Sequence, residues 1–204
     1  LIASVGQGGV GIVSALLYVV VSLISIVGVI MITLASRRIP VQYAKRVVGR
    51  KVYGGQSTHI PLSVNQAGVI PVIFASSLLA FPATIAQFVP KLAFMSDWLR
   101  GESVSYMIVY SLLIIGFTYF YTAMTFNVAD VSNNLKKYGG FIPGIRPGRP
   151  TVEYLERILS RLTFVGGLFL AVVAILPNIM TSVTKLSGVS FGGTALLIMV
   201  GVAL

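Results

Sequence analysis

The sequence of 204 residues has no cysteine, one histidine and five acidic residues. Without cysteine, neither a disulfide framework nor a thiolate-held metal is available. The lone His59 and a few scattered carboxylates do not make up the ligand set of a zinc site. Charge is scarce altogether. Charged residues make up 10% of the chain, against about 25% in a soluble globular domain. Hydrophobic residues make up 56%, and the mean hydropathy is +0.93. A chain so poor in charge cannot cover a water-exposed surface. That excludes an ordinary soluble enzyme, a disordered chain and a nucleic-acid-binding domain of usual composition. What the chain has in quantity is apolar length, which predicts a polytopic membrane protein.

A spanning helix takes about 20 mostly apolar residues. Five runs qualify by character, at about 10–35, 64–89, 104–129, 162–183 and from 191 to the last residue, 204. They are longer and more continuously apolar than the alternating segments of barrel strands. The fold predicted is therefore all-α, a single polytopic transmembrane helix bundle over 1–204. The fifth run is too short to cross, and the chain opens at Leu1, so a piece of a longer polypeptide is expected. Residues 1–30 lack the basic stretch that precedes the apolar core of a signal peptide.

Net charge is +10, from 15 Lys and Arg against the five acids. Residues 1–36 and 103–129 carry no charge, and the basic residues cluster between apolar runs. Five spans put the loops 36–63 and 130–161 on one face, with twelve basic residues. They put 90–103 and 184–190 on the other, with three. The positive-inside rule makes the richer face cytoplasmic.

The predicted spans contain no histidine and no charged side chain. A serine nucleophile would lack a base within reach, so no enzyme is expected. Coupled transporters carry ionisable groups at membrane depth, and this chain offers none there. Half of a small-molecule secondary transporter stays open as an alternative. Its midplane site would have to use hydroxyls and the irregular backbone near Pro71 and Pro82.

Two loops stand out. RRIPVQYAKRVVGRKVYGGQSTHIP, from Arg37 to Pro61, sets paired basic residues among Val and Tyr, with Gly54–Gly55 as a turn signal. A hairpin-like projection fits this pattern. It serves either as a topology signal that also binds anionic headgroups or as a docking finger for an acidic or RNA-containing partner. The second loop, NNLKKYGGFIPGIRPGRP from Asn133 to Pro150, is dense in glycine and proline and reads as a rigid, turn-rich tip. Arg146 stands near its apex, either solvated or able to bind a carboxylate or phosphate through two parallel bonds. Thr151, Glu153 and Glu156 then read as a helix start. Asn65 and Gln66 stand at the mouth of the second run, where they hydrogen-bond a neighbouring helix or belong to a moving gate. Pro71 and Pro82 are expected to weaken that run's backbone ladder.

The segments RRIPVQYAKR, QSTHIPL followed by NQAGVIPVIFASS, FPATIA, FYTA, NLKKYGGFIPGIRPG and FGGTALLI occur in this order. Together they resemble the second half of the SecY family, channel subunits of the bacterial protein-conducting translocon, over most of the stretch from Arg37 to Ile198. The resemblance implies helices six to ten of a pseudo-symmetric channel in the bacterial cytoplasmic membrane, without a cofactor. It implies that the channel passes secretory polypeptides across the membrane and membrane segments sideways into it, driven by SecA or the ribosome. Ile73 and Ile198 match positions of the family's apolar pore ring. Asn65, Gln66 and Pro71 match the lateral gate. Arg38, Lys45, Arg46, Arg50, Lys51, Lys136, Lys137, Arg146 and Arg149 lie on the loops that dock SecA or the ribosome, including its rRNA phosphates, with Arg146 as the critical arginine. The implied partners are the N-terminal half, SecE, SecG, SecA, the ribosome, signal peptides, nascent secretory chains and the lipid bilayer.

Overall fold

The computed structural model describes residues 12–43, 46–48, 51–53, 57–88, 103–184, 198–199 and 201. Helix α1, Ile12–Leu34, leads into strand β1, Ser36–Tyr43. Short strands β2, Arg46–Val48, and β3, Lys51–Tyr53, pair with each other, and β4, Ser57–Ser63, returns along β1. Helices α2, Ile70–Phe88, and α3, Val104–Thr125, follow. Then come α4, Val128–Lys137, strand β5, Gly140–Phe141, and α5, Arg149–Thr184. The architecture is helical, with a small sheet at one end.

Among the described residues, Val104–Lys137 and Arg149–Ile179 are long and apolar enough to cross a membrane, while Val19–Leu34 and Ile70–Pro82 are shorter apolar stretches. On α3 the outward residues Val104, Ile108, Leu112, Phe120 and Met124 recur at multiples of four and are exposed. Tyr110, Ile114, Thr118 and Thr122 recur every four residues on the buried side. The apolar surface therefore faces out and the hydroxyls face in, as suits a helix solvated by hydrocarbon. The inner hydroxyl of Thr118 donates to the Ile114 carbonyl at 2.7 Å, and Ser25 and Ser111 do likewise four residues back on their own helices.

Val29 of α1, Val72, Ala75 and Leu79 of α2, Tyr110 and Ile114 of α3, and Leu170 and Ala174 of α5 build one core. Glycine sets the closest approaches of α5. A Cβ at Gly166 would fall 2.5 Å from the Val64 carbonyl oxygen. One at Gly167 would meet Thr118 Cβ at 3.4 Å.

A second core lies beyond the apolar spans. Ile39, Val41 and Leu62 of the sheet pack with Val128 and Leu135 of α4, with Ile142, and with Leu155, Ile158 and Leu159 of α5. At about 1.5 Å per residue, the 36 residues of α5 run to about 54 Å, against about 30 Å of hydrocarbon. Its charged first third has length to spare outside a bilayer. Leu155 is fully buried in this second core. Leu155→Ala is expected to destabilise the core by about 2–5 kcal/mol. The readout is faster trypsin cleavage at the exposed Lys136–Lys137 pair, and cleavage at the wild-type rate would contradict the packing.

Several predicted bounds shift. The stretch 130–161, expected as a loop, is helical over most of its length. Asn127 caps α4, its side-chain oxygen accepting from the Ala129 and Asp130 amides at 3.1 and 3.3 Å. Val128, Ser132 and Leu135 then form a buried face at helical spacing, a signal that a scan for apolar length does not register. Helix α5 begins at Arg149, and the Thr151 hydroxyl turns back to the Arg146 carbonyl at 2.9 Å. The run expected from residue 64 becomes helical only at Ile70, after Gly68 at φ 60°. Asn65 and Gln66 thus precede the helix. Pro71 occupies its first turn, where a missing N–H breaks no helical bond, so of the two prolines only Pro82 lies inside it. Most of the expected fifth run lies outside the described residues.

Candidate functional site

The two basic loops, separated by the whole of α2 and α3 in sequence, form one body. Strand β1 is the centre of a three-stranded antiparallel sheet in the order β4-β1-β5. The register sets Ile39 opposite Ile60 and Val41 opposite Thr58, and on the other edge Gln42 opposite Phe141 and Tyr43 opposite Gly140. Ile39 and Val41 alternate inward to the second core. Pro40 is tolerated in the middle of β1 because β5 covers only Gln42 and Tyr43, leaving that edge open beside the proline. Gly140 must be small. A Cβ there would lie 3.0 Å from Tyr43 Cε1 and 3.2 Å from Leu135 Cδ2.

The tip after β5 is built from two turns. The Ile145 amide donates to the Ile142 carbonyl at 3.0 Å, with Pro143 and Gly144 between them and Gly144 at φ 82°. This is the proline–glycine arrangement of a type II turn. At the second turn the Gly148 carbonyl accepts from the Thr151 and Val152 amides at 3.0 and 3.2 Å. It also accepts from the Ser132 hydroxyl at 3.2 Å, which ties the tip to α4. Arg146 lies between these turns. Its carbonyl is held by Thr151, its neighbour Ile145 packs on the second core, and its own side chain is exposed. The guanidinium is thus carried on a braced backbone and free to meet a partner.

Of the other predicted docking residues, Arg38 is exposed on β1, and Lys136 and Lys137 are exposed in the last turn of α4. Arg149 is exposed and engaged, its Nε donating to Glu153 Oε1 at 3.2 Å. Such a surface pair contributes little to stability, and the arginine can change partners. Arg46 and Lys51 stand in β2 and β3, opposite Tyr53 and Val48. Lys45 and Arg50 lie outside the described residues.

The membrane-depth candidates fall elsewhere. Pro71 is fully buried and Gln66 is partly exposed. Asn65 is buried against α5 near Gly166, with its Oδ1 unpartnered among the described residues. Ile73 and Ile198 are 37% and 36% exposed. A Cβ at Gly201 would fall 2.7 Å from Val69 Cγ1. Gly201, three residues past Ile198, therefore lies against Val69, one turn before Ile73. Sequence reading passed over Gly166, Gly167, Ser132 and Tyr43. The small-residue pair inside an apolar run was the available signal for the first two.

The family model for SecY matches residues 1–204. Three similar relatives are each named protein translocase subunit SecY. The Halalkalibacterium halodurans protein is 56% identical over 199 residues, covering 95% of this chain and 46% of its own. The Streptomyces galbus protein is 50% identical over 192 residues, covering 91% and 44%. The Thermotoga maritima protein is 46% identical over 197 residues, covering 97% and 45%. The chain spans about half the length of the curated relatives it matches. With a family match over every residue, an apolar helical body and a braced arginine tip, this chain belongs to the SecY family.

Proposed function

We propose that the chain is the C-terminal half, helices six to ten, of a Sec channel subunit in the bacterial cytoplasmic membrane, with its basic end toward the cytoplasm. In this reading it is a passive pore component and not an enzyme. It conducts secretory polypeptides across the bilayer and releases apolar segments sideways. SecA or the ribosome drives the movement by docking on the sheet, the tip and the adjoining helix ends, which carry Arg38, Lys136, Lys137, Arg146 and Arg149. The N-terminal half, SecE and SecG complete the assembly, and signal peptides and nascent chains are its cargo.

The observation that carries this reading is the close approach of Val69 and Gly201. It supports Ile73 and Ile198 as neighbours in one apolar constriction, both exposed with no other described side chain covering them fully. A ring of such residues blocks ions by dewetting and yields to an extended chain without binding it. Asn65, Gln66 and the exposed face of α2 would then line the lateral gate, which an apolar signal sequence opens as it buries its surface.

Replacing Ile73 or Ile198 with Asn, in the full channel, is expected to raise ion leak through reconstituted bilayers and to relax signal-sequence selectivity. Conductance at the wild-type level in both variants would sink the constriction. A secondary transporter would instead be stabilised against heat by a small substrate. No described residue favours that alternative.

A further inference from the structure

Two hydroxyls on α2 converge on the backbone of Ile73. Ser76 and Ser77 both donate to the Ile73 carbonyl, at 2.9 and 2.8 Å. Other hydroxyls on the helices behave differently. Ser25, Thr84, Ser111 and Thr118 each take a carbonyl of their own, four residues back. On that pattern Ser76 would bond Val72, yet it reaches only three residues back, to Ile73. The helical ladder assigns the same carbonyl a third donor, the Ser77 amide. A carbonyl oxygen has two lone pairs, so one of the three donors is surplus.

A surplus donor changes what it takes to open the helix there. Breaking a ladder bond away from water ordinarily leaves a bare carbonyl, which is costly. At Ile73 the two hydroxyls stay bonded when the Ser77 amide withdraws, and both lone pairs remain occupied. Serine pairs and hydroxyls that bond back to the backbone are recurrent sites of helix bending. Further along, Pro82 lacks the N–H that would reach the Leu78 carbonyl. The ladder of α2 is thus weakest between Ile73 and Pro82. Packing sets which side can give. Val72, Ala75 and Leu79 are buried in the core, whereas Ile73, Ser77 and Phe81 recur every four residues on the opposite, exposed side. The rung from Ile73 to Ser77 lies on that exposed side, and lengthening it tilts the turn that carries Ile73.

We infer that Ser76 and Ser77 form a hydroxyl hinge in α2, which lets the Ile73 turn tilt aside for an entering polypeptide without baring a carbonyl. The inference rests on the proposed constriction at Ile73. Both serines act through the Ile73 backbone and are positioning residues. The widest cargo demands the largest tilt and depends on the hinge most.

The test is passage of one secretory precursor through the complete channel in proteoliposomes, either reduced and extended or held in a loop by a disulfide. Ser76→Ala/Ser77→Ala is expected to slow the looped form about five- to tenfold, the scale of one hydrogen bond. The extended form and the resting ion leak are expected to stay at wild-type levels. Each single alanine leaves one hydroxyl on the carbonyl and is expected to slow the looped form less than about twofold. Ser76→Thr/Ser77→Thr keeps both hydroxyls and is expected to pass the looped form as wild type does. Alanine is the better helix former, so the melting temperature is expected not to fall. Looped cargo moving at the wild-type rate through the double alanine overturns the hinge, as does a threonine pair as slow as the alanine pair. Single alanines whose losses add up to that of the pair overturn it too, since they would mark a packing role. Ile73→Asn separates the two readings. Leak in that variant beside an unaffected double alanine removes the hinge and keeps the constriction, whereas no leak removes both.

Discussion

Under the proposed function, export driven by SecA through the complete channel is expected to stop when Arg146 is replaced by Glu, with the channel still inserted in the membrane. The expectation rests on how the residue is held. The backbone on either side is closed by the Ile145–Ile142 turn and by the bonds to Gly148, and the Arg146 carbonyl accepts from Thr151. None of these contacts uses the guanidinium, which is exposed. Reversing its charge therefore leaves the fold with all its described bonds and changes only what the tip presents. Removing one member of a buried, hydrogen-bonded charge pair at an interface costs about 2–5 kcal/mol, thirtyfold or more in affinity. A reversed charge adds repulsion to that loss. Arg146→Lys keeps the charge but not the planar fork and is expected to fall between the two. The assay is translocation of a secretory substrate into proteoliposomes, with trypsin resistance of the second core as the check on folding. Export at the wild-type level in Arg146→Glu would remove the docking role from the tip.

Gly166→Ala is expected to be the most damaging single-methyl change in the helical body. The added Cβ would lie 2.5 Å from the Val64 carbonyl oxygen. That oxygen belongs to backbone and cannot swing aside as a flexible side chain would. The Val64 amide is itself held, donating to the Ala35 carbonyl at 2.9 Å, so a shift of this segment also pulls on the junction of α1 and β1. Overpacking of this kind costs about 1–3 kcal/mol. Gly167→Ala, one residue on, is the contrast. Its Cβ would meet Thr118 Cβ at an ordinary 3.4 Å. It should leave the melting temperature of the detergent-solubilised channel close to wild type, while Gly166→Ala lowers it by several degrees. Equal melting of the two variants would mean that α5 does not approach Val64 so closely.

Much of this protein was legible before folding. The separation of apolar runs from clustered charge is written in composition, because hydrocarbon rejects charge wherever the chain folds. The Pro-Gly and Gly-Arg-Pro signals of the tip also read correctly, since a glycine at positive φ after proline is a local property. The helical stretch Val128–Lys137 was harder to see, whereas the start of the next helix is legible in Thr151, Glu153 and Glu156. The hydrophobic residues of Val128–Lys137 are spaced and not continuous, and they become a face only when Leu135 meets Leu155.

What the sequence alone determined is therefore the division of the chain into long apolar runs and stretches of clustered charge. Only the tertiary structure decided that residues 42–43 and 140–141 share a sheet, and that two prongs are one braced platform. It also decided that Gly166 of α5 lies against the Val64 carbonyl. Local preference is set by a residue and its near neighbours, whereas these juxtapositions arise from burying Ile39, Val41, Ile142 and Leu155 in a single core assembled from distant parts of the chain.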